Sequence, residues 1–158
     1  MTTHDLGTNI GHKTAAIYRN MQHLLSDRLS SMEIKNGQYD FFYAISLAEG
    51  ISQKELSNHL HIGKSTTAKA VKNLINIGYI TKRKDDKDGR IDHLFLTTLG
   101  RQRAPMVERI FQDNIEVAVK GLTKAEIECV MEVMGRILNN LVEENGLASG
   151  KDQDFDQG

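Results

Sequence analysis

The stretch KRKDDKDGRID, residues 82–92, sets Asp85, Asp86, Asp88 and a glycine among basic side chains, between two apolar runs. One chemistry it could carry is calcium binding. An EF-hand loop needs oxygen ligands at positions 1, 3, 5 and 12 and a glycine at position 6. With Gly89 at position 6, Asp86 and Asp88 fit, but position 1 becomes Lys84 and position 12 becomes Phe95. Neither ligates calcium, so that reading is excluded. The other chemistry is anion recognition by an aimed arginine. Asp88 and Arg90 stand two residues apart and face the same way in extended backbone, so the carboxylate can hold the guanidinium by a charge-assisted pair. An arginine fixed in this way suits a narrow minor groove, where the potential is strongly negative. Lys82, Arg83, Lys84 and Lys87 would then lie near phosphates. The same pair would also stiffen a turn, and both roles need an ordered tip.

Residues 64–77 form the second candidate. At helical spacing Thr67, Val71 and Leu74 share one face, and Lys64, Ser65, Thr66, Lys69, Lys72, Asn73 and Asn76 occupy the other. A solvated helix commonly mixes Glu with Lys for i,i+4 pairing, whereas this outer face has no acid at all. It offers hydroxyl, amide and ammonium donors, the groups that meet phosphates and base edges in a major groove. Charge is distributed to match. Lys64–Arg90 holds eight basic and three acidic residues, a balance of +5. The other residues hold twelve basic and eighteen acidic ones, a balance of −6, so the net −1 conceals a basic segment on an acidic body. Such a segment suits a polyanionic partner.

No catalytic set accompanies these groups. The chain lacks a phosphate-loop glycine pattern, a nucleophile elbow and an HExxH helix, so an enzyme is not expected and neither is a cofactor. His4, His12, His23, His59, His61 and His93 include no i,i+4 pair, and surface histidines rather than a metal site are expected. Cys129 is the single cysteine. It excludes an intramolecular disulfide and is expected to be an inert thiol.

Apolar periodicity and caps supply the elements that position these residues. Ile10, Ile17, Met21, Leu24, Leu25, Leu29 and Met32 predict a helix over 8–32. A second is predicted from about Asn36 to Glu49, stopped by Gly50. Ser52-Gln53-Lys54-Glu55 is a capping box, with Ile51 placed to staple onto Leu56. That short helix ends near Leu60, His61-Ile62-Gly63 makes a turn, and a helix over 64–77 ends at Gly78, which is the spacing of a helix-turn-helix. Tyr79–Arg83 and Asp92–Leu96 read as a β-hairpin with a long tip. Thr97 or Thr98 caps a helix over 99–120, which Pro105 should kink or start later. Thr123–Glu126 is a second capping box, opening a last helix to about Glu144 with the stripe Ile127, Val130, Met131, Met134, Ile137, Leu138, Leu141 and Val142. Residues 146–158 are polar and glycine-rich, a flexible tail. The long amphipathic helices at both ends carry more apolar surface than one lobe can cover, which favours pairing with a second copy. No apolar run approaches the roughly 18 residues of a membrane span, and the N-terminus lacks a signal-peptide core. A cytoplasmic location without a membrane partner is expected.

These residues carry a resemblance. From Ile34 to Arg101 the sequence resembles the winged helix-turn-helix of the MarR family of transcriptional regulators. The matching stretches are ISQKELSNHLHIGKSTTAKAVKNLINIGYITKRKDDKDGR, with its D-x-R element, and LFLTTLGR. The resemblance implies a mainly α fold with a small β-hairpin wing: residues 1–33 as an N-terminal dimerisation helix, 34–98 as the DNA-binding lobe, 99–145 as C-terminal dimerisation helices, and 146–158 as the tail. It implies an obligate homodimer on double-stranded DNA with a near-palindromic operator, a recognition helix at 64–77 in the major groove and a wing at 79–96 in the minor groove. The family role of the wing arginine falls on Arg90 and that of its partner on Asp88. Lys69 stands where the family often has Arg, and Gly63 where Ser or Asp often caps the recognition helix, a change that weakens a cap only slightly. Many members bind small aromatic or anionic effectors between the dimer arm and the DNA-binding lobe. Tyr18, His23, Arg28, Tyr39 and Phe42 are the residues that would line such a cleft, or would pack an ordinary interface. The function so implied is a repressor released by an effector. A sequence-tolerant architectural DNA binder is the alternative.

Overall fold

The computed structural model describes residues 2–35 and 37–146. The order is α1 (Thr3–Arg28), α2 (Tyr39–Leu47), α3 (Gln53–Leu60), α4 (Lys64–Asn76), β1 (Ile80–Lys84), β2 (Asp92–Leu96), α5 (Thr98–Ala118) and α6 (Lys124–Glu144). Both predicted capping boxes form. Ser52 accepts from the Glu55 N–H while Glu55 accepts from the Ser52 N–H, and Thr123 and Glu126 do the same for α6. Between α3 and α4 the chain turns through His61, at φ 53 a left-handed residue, and the Ser57 hydroxyl donates to the Ile62 carbonyl to hold the turn. Gly63 caps α4 without a side chain, and the Thr67 hydroxyl donates to its carbonyl at 3.0 Å. No helix among the described residues is long and apolar enough to cross a membrane.

The core is built from the segment after α1, from α2, the inner faces of α3 and α4, the base of the hairpin and the middle of α5. Phe41, Phe42, Ile45, Leu56, Val71, Leu74, Ile80, Leu94 and Val107 are buried there. β1 and β2 pair antiparallel from Ile80↔Leu96 to Lys84↔Asp92. The hairpin begins in the core and runs out into solvent, since Ile80 is buried whereas Lys82, Arg83 and Lys84 are exposed. The outer edge of β2 is also paired. The Gly50 N–H donates to the Leu94 carbonyl at 2.7 Å and the Leu94 N–H to the Ile51 carbonyl at 2.9 Å. The wing is thereby hydrogen-bonded to the segment that leads into α3.

A close backbone approach fixes the start of α5. Thr97 donates its N–H to the Tyr79 carbonyl and its hydroxyl to the Gly78 carbonyl, and accepts from the Gly100 N–H. Gly100 is thereby pressed on Tyr79, so that a Cβ there would stand 2.0 Å from the Tyr79 carbonyl oxygen. Arg101 then donates to the Leu96 carbonyl at 3.0 Å and pairs with Glu49. The residues LTTLGR are thus a splice between hairpin and helix.

Several boundaries differ from those predicted. α1 ends at Arg28 rather than at 32, because Leu29 leaves the helical region at its C-cap. Leu29, Met32 and Ile34 enter the core from the following turns, so the apolar spacing outlasts the helix. α1 also starts earlier than 8, at a capping box of Thr2 and Asp5. α2 is shorter than Asn36–Glu49. Its C-cap Ala48 has ψ 63 and Gly50 has φ +90, a conformation few side chains tolerate; Asn36 lies outside the described residues, as do residues 147–158 of the predicted tail. Pro105 falls inside α5 without displacing its start. It lies on the exposed side, where water can serve the carbonyl its missing N–H leaves open. Gly100→Ala should destabilise the fold by about 1–3 kcal/mol, because backbone rather than a flexible side chain blocks the new methyl. Urea unfolding measures this, and an unchanged midpoint would show that the splice relaxes freely.

Candidate nucleic-acid interface

The wing tip has no core beneath it, so its order must come from polar bonds. Asp85 opens the turn. Its Oδ1 accepts the N–H groups of Lys87 and Asp88, both at 2.8 Å, the local bonding that makes Asp a turn residue. Asp88 in turn holds Arg90. The guanidinium donates through Nε to Oδ1 and through Nη2 to Oδ2, both at 3.0 Å, and the Arg90 N–H adds a third bond at 3.1 Å. This is the bidentate geometry available to arginine and carboxylate. The Asp88 carboxyl is lowered from its ordinary range by the Arg90 side chain first and the Arg90 N–H second. The Arg90 side chain remains 90% exposed. A pair that exposed adds little to stability; its effect is to fix the direction of a cation that stays open to solvent.

The other wing cations are also constrained. Lys84 and Lys82 flank Asp92, at 2.9 and 3.6 Å, and together lower its carboxyl, Lys84 most. Arg83 lies over the Phe95 ring at 4.7 Å, within cation–π range. Lys87 is exposed at the tip. A groove of about 410 Å³ between the wing and the start of α3 gathers Lys54, Lys82 and Arg90 around Ser52.

On α4 the two predicted faces separate as the spacing requires. Thr67, Val71 and Leu74 are fully buried, and Lys64, Ser65, Thr66, Lys69 and Lys72 are exposed. Asn73 is half-buried and donates to Gln38 at 3.3 Å, which commits part of its amide to the start of α2.

The five residues named for an effector cleft do not come together. Tyr18 and His23 line an open groove of about 530 Å³ along α1, with Gln22 and Asp27. Arg28 is exposed at the end of α1. Tyr39 and Phe42 lie in the core, at 2% and 0% exposure, because α2 turns its aromatic side chains inward, and Phe42 meets the Tyr79 ring at 5.5 Å. Beside the groove Gln22 donates to Asp40 at 3.0 Å, and the Gln22 Oε1 is buried without a partner. Burial raises the Asp40 carboxyl. Among the described residues no group of three or more His, Cys, Asp or Glu side chains could hold a metal ion, and Cys129 is exposed on α6.

Asp85 and His93, neither given a site role from the sequence, join the tip to the lobe. His93, on β2, places Nε2 2.9 Å from Asp85 Oδ2 and Nδ1 2.7 Å from the Gly50 carbonyl. The Asp85 carboxyl is held at about 2, by His93 first and then by the N–H groups of Asp88 and Lys87. Aspartate at the head of a hairpin loop was a readable turn signal; the link from His93 to Gly50, across 43 residues, has no local sequence signature.

Comparisons with known proteins converge on one family. The MarR family model matches residues 33–91. The uncharacterized HTH-type transcriptional regulator YybA of Bacillus subtilis is 31% identical over 120 residues, which span 73% of this chain and 80% of that protein. The HTH-type transcriptional repressor IacR of Pseudomonas putida is 24% identical over 90 residues, 57% of this chain and 54% of that one. Among solved structures, a Listeria monocytogenes protein described as a MarR family transcriptional regulator complexed with 26mer DNA superposes with a TM-score of 0.81 at 25% identity. The match covers 91% of this chain and 97% of that one.

The Asp88–Arg90 pair can be read by titration. In Arg90→Ala the Asp88 carboxyl should return upward toward the ordinary carboxylate range, since its largest lowering influence is gone. Carbon-detected NMR of the carboxyl measures this, and an unshifted Asp88 would mean that the pair does not form in solution.

Proposed function

The chain belongs to the MarR family of winged-helix transcriptional regulators, and from that premise we propose that it is a homodimeric, sequence-specific DNA-binding repressor released by a small-molecule effector. The observation that carries the DNA-binding reading is Arg90, held by the three hydrogen bonds it donates to Asp88 and yet exposed at the end of a wing. In this reading α4 enters the major groove with Lys64, Ser65, Thr66, Lys69, Lys72 and Asn73 toward bases and phosphates. The wing follows the backbone with Lys82, Arg83, Lys84 and Lys87 and inserts Arg90 into the minor groove. The DNA complex of the Listeria relative and the repressor name of the Pseudomonas relative accord with it.

The dimer is supported by what a single chain leaves uncovered. α6 buries none of its residues. Ile10, Ile17, Ile115, Val117, Leu122, Val130, Met131, Met134, Leu138 and Leu141 are each 43–66% exposed. Covering such half-exposed side chains is worth about half of 1.5–3 kcal/mol apiece, or roughly 15–30 kcal/mol for ten from each copy. That exceeds the roughly 4–15 kcal/mol lost on association. In this reading residues 1–33 and 99–145 form the dimerisation arm around the lobe at 34–98. Two recognition helices about a dyad would then reach major grooves roughly 34 Å apart, on a near-palindromic operator. The effector would be a small aromatic or anionic molecule at the groove of Tyr18 and His23. It would act by shifting the population between DNA-competent and incompetent dimers.

Three outcomes test this. Leu138→Glu with Leu141→Glu should leave a monomer in sedimentation velocity, and a dimer that survives both charges would place the interface elsewhere. Fluorescence anisotropy on a labelled duplex should give an affinity that falls roughly 10³- to 10⁵-fold between 50 and 200 mM salt. Arg90→Ala should weaken binding by roughly 10- to 100-fold at fixed salt, and unchanged affinity would remove the wing from the mechanism.

A further inference from the structure

His93 stands between two acceptors. The Gly50 carbonyl, 2.7 Å from Nδ1, has only lone pairs to offer. The Asp85 carboxylate, 2.9 Å from Nε2, is ionised at any pH above about 2 and likewise has only lone pairs. A neutral imidazole carries one N–H and one lone pair. It could satisfy one of these partners and would meet the other lone pair to lone pair at less than 3 Å. Only the imidazolium, with a proton on each nitrogen, donates to both.

We propose that His93 is a positioning residue: as an imidazolium it ties the wing tip to the turn before α3 and thereby sets where Arg90 is presented. The inference rests on the wing reading above. The chain of bonds is continuous. Asp85 takes the His93 proton donor on one oxygen and, on the other, the N–H groups of Lys87 and Asp88. Asp88 then holds Arg90. Gly50 is itself bonded into the outer edge of β2 and precedes the α3 cap, so the clamp joins the tip to the helix-turn-helix rather than to another part of the wing. When His93 loses a proton, one of its two bonds must break. Release of Asp85 loosens the turn that carries Asp88.

The charges around the ring favour the imidazolium. Asp85 faces it from the tip and Glu55 from the first turn of α3, and both raise its pKa, as does the bond to Gly50. Arg83 is its direct cross-strand neighbour on β1, with its guanidinium drawn over Phe95. Asp92, adjacent on β2, is occupied by Lys84 and Lys82. A histidine pKa raised in the folded state gives a clamp fully present below the ordinary value near 6.5 and lost as pH rises through the raised one. At the acid end it is lost as pH falls through about 2, where Asp85 takes up a proton.

The test has a DNA-free arm and a DNA arm. In the free protein, nitrogen NMR of the His93 ring should show its second proton lost only above the ordinary histidine value near 6.5. The amide exchange of Asp88 and Arg90 should quicken over the pH step at which the ring loses its proton, and Asp85→Asn should move that step to lower pH. A ring that loses this proton at or below that ordinary value, or amides indifferent to its titration, would overturn the proposal. In the DNA arm, wild-type affinity for a labelled duplex should fall roughly tenfold from about pH 6 to about pH 9, and His93→Gln should lack this step. A step that persists in His93→Gln would overturn the proposal. If the wild type binds no DNA at any pH, the regulator reading fails, and the free-protein titration alone decides the role of His93.

Discussion

Arg90 is held in place at a position where nothing apolar can hold it. The tip of the wing projects from the core, and its order depends on carboxylates: Asp85 closing the turn, Asp88 gripping the guanidinium, Asp92 between two lysines. This explains why a basic segment contains so many acids. Three lysines and two arginines crowded on a small hairpin would repel one another and sample many conformations. Asp88 fixes Arg90 in direction, and Asp92 holds Lys82 and Lys84, while their charge is left open to a larger polyanion. A duplex would meet an arrangement already formed and would not have to order each side chain on binding.

The rest of the lobe serves to keep that tip in register with α4. Gly100 lets the start of α5 lie against Tyr79, so the base of the hairpin is fixed by backbone contact. The Gly50–Ile51 segment pairs with β2 on one side and leads into the α3 capping box on the other. α3, α4 and the wing are therefore connected through hydrogen bonds as well as through the shared core. α6, with no buried residue of its own, stands apart from this unit, which fits a division between a reading lobe and an arm that joins two copies.

What was legible in the sequence was local. The Ser52/Glu55 and Thr123/Glu126 boxes, the helix-turn-helix spacing, the hairpin and the Asp88–Arg90 pair depend on residues a few positions apart, where residue type and period suffice. Thr2 and Asp5 carry the same signal, but the apolar stripe begins only at Ile10, so periodicity alone starts α1 too late. The period also misleads at the other end, since Leu29 and Met32 keep helical spacing while serving the core from turns. Tyr39 and Phe42 illustrate a different limit. An aromatic residue that packs inward and one that lines a cleft look alike in sequence, and only the direction in which α2 faces the hairpin separates them. His93 was hidden because both of its partners are set by tertiary structure.

The central claim is that two copies of this lobe read a specific duplex. Selection of bound sequences from a random duplex library at about 150 mM salt, near physiological ionic strength, tests it most directly. The account predicts an enriched near-palindrome whose half-sites lie about one helical turn apart. Binding that enriches no sequence would contradict it and indicate an architectural, sequence-tolerant protein instead.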